Sequence, residues 1–321
     1  MKFEKAILLS GTMRSGTTLM CKILDSSPSI NMVSDVLNWF WHRCLGQYGM
    51  MNSKYQLEKC FYELEPFIIY GLNEERKEFF LSGEIKNEII NNGISYEEIY
   101  RTFIKYYKNG LTRFNGDKTT HNYDKYESFI TKSSDSIIIH MVRDVSDVFY
   151  SHKKRVGVKK KNDSFSKKLK NVSNEIRKDI GRKLLGNKHA IDVGNRMFTP
   201  FVYKYPLKIV DEWLLSNSAA LHIKEQYPEK ILIIKYEDLV TDTTEILDKI
   251  SGRLGLSDKL FDINNLKKGN NEDFVANSSF EENKVKGIHS KSVNQSEGNL
   301  TEKEKSYIDK RCRKIKKALE Y

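Results

Sequence analysis

Gly11-Thr-Met-Arg14-Ser15-Gly16-Thr17-Thr18 is the stretch of this chain whose residue types and spacing could do chemistry: two glycines bracket a single arginine, and two threonines follow. The apolar run Ala6–Leu9 precedes it, and helical spacing resumes with Leu19, Ile23 and Leu24. The pattern predicts strand, glycine loop and helix over Lys5–Ser27. Such a unit aims backbone N–H groups and a helix N-terminus at one point, which suits a phosphate. The glycines let the backbone approach an anion without side-chain clash. Thr17 and Thr18 fall in the first helical turn, where their hydroxyls can face the anion or cap the helix.

The spacing imitates the G-x4-G-K-[ST] loop of nucleoside-triphosphate enzymes, but Thr17 stands at the lysine position and the cation is Arg14, inside the loop. A triphosphate enzyme also wants a magnesium-binding acid at the end of a second strand. Here the candidate strand, Ser136–Val142, runs into Arg143. An arginine at that place suits a second phosphate, held bidentately. The two features together predict a phosphate-bearing donor handled without a metal.

Met13-Arg-Ser-Gly-Thr-Thr-Leu-Met20 resembles the 5′-phosphate loop of sulfotransferases that use 3′-phosphoadenosine 5′-phosphosulfate (PAPS), nearest their carbohydrate and tyrosylprotein branch. Val142-Arg-Asp-Val-Ser-Asp-Val-Phe-Tyr-Ser151 is similar to the 3′-phosphate motif of that family, and Lys235-Tyr-Glu-Asp-Leu239 to its late Tyr-Glu-Asp-Leu element. Arg113–Lys118 with Thr119 is similar to its Gly-Glu/Asp-Lys-Thr-Pro stretch, with Thr120 where proline is usual. A second departure is Ser296-Glu297, where many relatives have Trp-Lys. The ordered set of motifs is more specific than any one of them.

The resemblance implies a P-loop-type, three-layer α/β/α fold with a central, mainly parallel sheet and a helical insertion. It implies PAPS as donor, adenosine 3′,5′-bisphosphate as product, no metal, and a hydroxyl-bearing acceptor. Arg14, Ser15, Gly16, Thr17 and Thr18 would hold the 5′-phosphate, and Arg143, Ser151 and Lys291 the 3′-phosphate; Tyr236 also falls in a cofactor motif. Arg14 and Lys118 would stabilise the oxygen on which charge builds as the sulfonate leaves, donors of this kind being worth roughly 3 kcal/mol each. Asp35 stands where the tyrosylprotein branch has its basic glutamate, one methylene shorter, and serves equally as an N-cap for the residues from Val36 onward. His121 and Asp117, beside Lys118, are its rivals. His140, inside a strand, reads as a core or supporting residue. Lys291 reads equally as a surface lysine.

The elements that must position these residues follow from periodicity. Helices are expected at Thr17–Asp25, Val36–Leu45, several times between Tyr55 and Gly110, Asp124–Thr131, Val145–Arg155, Lys204–Gln226 and Thr243–Leu254, and at the C-terminus. Strands are expected at Ala6–Leu9, Ile30–Val33 (short, at an edge), Ser136–Val142 and Ile231–Ile234. Ser95-x-x-Glu98 and Thr301-x-x-Glu304 are capping boxes in pattern, and Gly255 is a helix stop. Residues 156–200 break the α/β rhythm and read as a helical insertion or lid. Residues 264–300 are rich in Asn, Ser and Lys and read as a mobile loop within a single domain spanning 1–321.

The 321 residues are 39% hydrophobic and 30% charged, with a mean hydropathy of −0.57, which predicts a chain with a sizeable core and no membrane span. Cys21, Cys44, Cys60 and Cys312 show neither CxxC nor zinc spacing, so free thiols in a cytoplasmic, reducing setting are expected. The net charge of +11 favours anionic partners, and the basic residues 152–161 could hold an acidic glycan or peptide or be a solvated face. Nucleic acid is not expected, because no motif that reads DNA or RNA is present. A nucleotide kinase and a non-enzymatic polyanion-binding protein are the alternatives; the first requires ATP with magnesium, the second salt-sensitive binding.

Overall fold

β1 (Lys5–Gly11), with its apolar run Ala6–Leu9, lies at the centre of a five-stranded sheet, and residues 6–11 are all buried. This computed structural model describes residues 5–34, 37, 40–68, 83–108, 110, 112–120, 122–133, 135–162, 204–256, 261–263 and 288–321. The expected insertion beyond residue 162, most of the expected mobile loop, Asp35 and His121 lie outside them.

The chain forms two compact units. The first comprises Met1–Arg143 and Trp213–Val293. In it β1 is followed by α1 (Thr17–Asp25), β2 (Ile30–Ser34), a π-helical turn (Phe40–Cys44), α2 (Lys54–Ile68), α3 (Gly83–Asn92), α4 (Tyr96–Tyr107), β3 (Phe114–Lys118), α5 (Tyr126–Lys132) and β4 (Ser136–Val142). After the second half of α7 (Lys204–Gln226) come β5 (Ile231–Lys235), α8 (Tyr236–Thr241) and α9 (Thr243–Leu254). The strand order is β2-β3-β1-β4-β5 and every pairing is parallel. β2 is an edge strand, as expected. The chain leaves β1 toward one edge and β4 toward the other, so the loop after β1 opens at the topological switch point, where α/β sheets bind ligands.

Strand alternation sends side chains to two cores. Ile7, Leu9, Ile137, Ile139 and Met141 meet α1, α8 and α9, whereas Ala6, Leu8 and Ile138 meet α2–α5 and α7. The fold is therefore a three-layer α/β/α arrangement around an all-parallel sheet.

β3 carries no strand signal in the sequence. Its Phe-Asn-Gly-Asp-Lys is poor in strand formers, yet all five residues are buried. Tertiary contacts supply what propensity lacks. Asn115 donates to the Thr112 carbonyl at 2.7 Å and accepts from Thr112 N–H, and Asp117 accepts from the Trp41 indole at 2.7 Å. A Cβ at Gly116 would stand 2.5 Å from the Ile7 carbonyl oxygen, so only glycine lets β3 lie against β1.

The second unit comprises Asp144–Glu212 and Asn294–Tyr321. α6 (Val145–Asn162) and α10 (Glu302–Ala318) are tied together by Lys153 to Glu304 (2.7 Å) and Lys316 to Asp144 (3.2 Å). The Thr301–Glu304 capping box forms in full. At Ser95 only half of the expected box forms: the hydroxyl accepts from Glu98 N–H, while the Glu98 carboxylate pairs with Arg101 and Asn92. Gly255 ends α9 in the left-handed region, φ 66°.

Candidate active site

The loop after β1 is held open by its backbone. Gly11, Arg14 and Gly16 have φ of 147°, 75° and 86°. For Arg14, a non-glycine residue, this is a sparsely populated conformation that the surrounding loop must impose. A Cβ on Gly11 would meet the Met141 carbonyl oxygen at 2.3 Å, and one on Gly16 would meet the Tyr236 ring at 2.4 Å. Both glycines are therefore demanded by neighbours as well as by dihedral angle.

Gly16 is the N-cap residue of α1, whose first turn holds no acidic side chain and receives no side-chain cap. The helix thus presents its N-terminal N–H groups and the positive end of its dipole at the loop. Ser15 is fully buried and Thr12 almost so, and neither hydroxyl has a hydrogen-bond partner in the structure. Buried hydroxyls without partners are rare. Thr17 is buried and Thr18 half-buried.

Arg143, the first residue beyond β4, comes to this loop from the neighbouring strand. Its Nη1 donates to the Arg14 carbonyl at 3.3 Å, its Nη2 donates to the Ser292 carbonyl, and its guanidinium lies 4.7 Å from the centre of the Tyr236 ring. Tyr236, the first residue of α8, is thereby packed between Gly16 and Arg143. The loop and the strand tip, which the sequence singles out separately, share one place.

Lys118, the last residue of β3, is 6% exposed, and in register it stands beside Leu9 on one side and Ser34 on the other. It shares the Leu9 face of the sheet, the face of α1. Asp117 points to the other face, is fully buried, and is tied to Trp41. Lys291 is exposed and lies in a short 3-10 turn, Ser290–Ser292. Ser151 is half-buried on α6, in the second unit. Asp35 follows directly on Ser34, outside the described residues, as does His121.

Sequence reasoning missed the Trp41–Asp117 contact, the seat of Tyr236 and the Ser292 carbonyl. It also missed what surrounds His140. Asn217 donates its amide to the Trp213 carbonyl (2.7 Å), which leaves its oxygen facing His140 Nε2 (3.0 Å). Nε2 is then the protonated nitrogen, and Nδ1 accepts from the Tyr126 hydroxyl (2.8 Å). Burial lowers the His140 pKa from 6.5 to about 4, opposed in part by the Asn217 hydrogen bond. A polar residue in the apolar run Ile-Ile-Ile-His-Met-Val was the available signal.

A family model described as "Sulfotransferase domain" matches residues 4–318. The chain belongs to the sulfotransferase family. This sulfotransferase is similar in fold to the sulfotransferase domain from the curacin biosynthetic pathway, with 16% identity, a TM-score of 0.56, and coverage of 100% of this chain and 99% of that one. It is likewise similar to the sulfotransferase domain of the Synechococcus olefin synthase, with 14% identity, a TM-score of 0.53, and coverage of 100% and 96%. No curated protein matches the sequence. The α/β architecture of this sulfotransferase is that of those structures. Among its described residues no helix is long and apolar enough to cross a membrane.

Proposed function

We propose that this sulfotransferase moves a sulfonate group from PAPS to a hydroxyl acceptor, carbohydrate first among the candidates, with a tyrosyl peptide or small natural product as the others. The observation that carries the reading is the meeting of Arg143 with the carbonyl of Arg14. Two anion-binding elements that close together match a nucleotide bearing phosphate at two ribose positions. The donor fits the residues present. The partnerless hydroxyls of Ser15 and Thr12, the uncapped start of α1 and the glycine-lined loop supply what a 5′-phosphate needs. When bound, PAPS supplies an activated sulfonate on a phosphate leaving group.

The chain's own residues then have these roles. Ser15, Gly16, Thr17 and Thr18 hold the 5′-phosphate end. Arg143, aided by Lys291, holds the 3′-phosphate. Tyr236 packs its ring against the Arg143 guanidinium, 4.7 Å away. Arg14 and Lys118 offset the charge that develops on the leaving oxygen; a buried lysine at a strand tip does so where water screens little.

Asp35 takes the proton of the acceptor hydroxyl. Its place in the chain, one residue after Ser34 in register with Lys118, supports that role. Asp117 is a poorer base because it already accepts from Trp41 on the opposite face. We read residues 1–321 as one catalytic domain, in keeping with the extent of the family match. The four buried, unbridged cysteines are in keeping with a cytoplasmic enzyme.

Transfer of labelled sulfate from PAPS across sugar, tyrosyl-peptide and small-molecule acceptors tests the reaction. Thermal stabilisation by adenosine 3′,5′-bisphosphate but not by ATP with magnesium is the expected companion result. The reverse pattern would remove PAPS as the donor.

A further inference from the structure

His140, Asn217 and Trp213 are joined by a buried chain of hydrogen bonds beside the α/β core, the last of them to the Trp213 backbone carbonyl. The strand containing His140 is otherwise Ser, Ile, Met and Val, and all seven of its residues are buried. An aliphatic residue there would pack without any need for partners. Instead Tyr126, His140, Asn217 and Trp213 are linked by hydrogen bonds of 2.8, 3.0 and 2.7 Å. All four side chains are buried.

The chain ends at a place of consequence. The Trp213 indole N–H donates to the Arg143 carbonyl oxygen at 2.8 Å. Arg143 lies one residue past the end of β4 and two before the start of α6. It is 6% exposed. Its carbonyl is therefore beyond the sheet ladder, and a buried carbonyl needs a partner. Trp213 supplies it. The tip of the same residue is held from the other side by the Tyr236 ring and by the carbonyls of Arg14 and Ser292.

We infer that Trp213, on a turn of α7 that Asn217 and His140 tie to β4, is a positioning residue that fixes the backbone of Arg143, so that the enzyme distinguishes nucleotides carrying a 3′-phosphate from those lacking one. The inference rests on the proposed role of Arg143. Trp213 touches the backbone of the anion-binding arginine, and Asn217 touches the backbone carbonyl of Trp213; both act on the ligand only through Arg143. Neither belongs to the motifs that mark the donor site in the sequence.

The test is equilibrium binding of adenosine 3′,5′-bisphosphate and of adenosine 5′-phosphate, taken as a ratio. Trp213→Phe keeps the ring and removes the donor. It should reduce the ratio about fivefold to tenfold, chiefly by weakening the bisphosphate. A tryptophan that only filled space would lower thermal stability and leave the ratio where it was. An unchanged ratio in folded Trp213→Phe overturns the inference. If that variant does not fold, Asn217→Ala decides in its place: it should lower the ratio by a smaller factor, and an unchanged ratio overturns the inference equally. Arg143→Ala separates this result from the parent reading. Wild-type protein with no preference for the bisphosphate, or Arg143→Ala with its preference intact, removes the proposed 3′-phosphate site itself. A preference lost in Arg143→Ala but kept in Trp213→Phe removes only the role of the tryptophan.

Discussion

The two faces of the sheet are built from different materials. The α1 face is aliphatic, with Ile7, Leu9, Met20, Ile23, Leu24, Ile139, Met141 and Leu239 fully buried in it. The opposite face is aromatic: Phe40, Trp41, Tyr100 and Phe129 stack edge-on at centroid separations of 5.1–5.7 Å. The cations of the candidate site, Arg14, Lys118 and Arg143, belong to the aliphatic face or its rim. The polar handles that steady the strands come from the aromatic face. Trp41 holds Asp117, next to Lys118; Tyr100 donates to the Ile7 carbonyl at 3.0 Å; Tyr126 holds His140. Aliphatic side chains contribute burial without direction, whereas Tyr and Trp add one directed bond each. One face carries the site, and the other fixes where its strand tips lie.

The largest effect is expected at Ile139. Ile139→Ala removes pure packing from the aliphatic face and should lower unfolding stability by about 2–5 kcal/mol, read by chemical denaturation. The preference for a 3′-phosphate should stay as it was. A change in that preference would mean that the aliphatic face also directs the site.

Acid tests the aromatic face. His140 is held neutral by burial, with its pKa lowered to about 4 from 6.5. The unfolded chain takes up the proton first as the pH falls. Stability from this group is therefore complete above pH 6.5, declines between pH 6.5 and 4, and levels off once the folded histidine also protonates. The expected loss is up to about 3 kcal/mol. His140→Gln should lose that part of the acid sensitivity in denaturant titrations across the same range; an unaltered profile would place the acid lability elsewhere.

Trp41→Phe keeps an aromatic ring but leaves the buried Asp117 without the indole donor, at about 1.5–3 kcal/mol. Unlike Ile139→Ala, it should also lower kcat in the transfer assay, because the loosened strand carries Lys118 at its next residue. A stability loss with kcat intact would reduce Asp117 to a core contact. Tyr100→Phe is the mildest change. It removes only the hydroxyl bonded to Ile7 and should cost about 0.5–1.5 kcal/mol, with binding and turnover unaltered.

The glycine loop, the arginine after β4 and four of the five strands are legible in the sequence because local signals encode them. Glycine spacing, apolar runs of strand length and a cation ending one of them all survive in one dimension. The Thr301–Glu304 box and the Gly255 stop are equally local. β3 is not legible, because Phe-Asn-Gly-Asp-Lys becomes a strand only when Thr112, Trp41 and Ile7 satisfy or crowd its residues. Nor does any spacing predict that Tyr236 will fill the space over Gly16, a contact between residues far apart in the chain.

The glycine loop with Arg14 and the arginine after β4, and the strand ends on which they stand, were determined by the sequence alone, since each depends on neighbours a few positions away. That Arg143 reaches the Arg14 carbonyl, that Lys118 lies beside Leu9, and that a tryptophan from α7 anchors the arginine were decided by the tertiary structure. Those facts depend on parallel register and on which face of the sheet each side chain takes, and both are settled only when the layers pack.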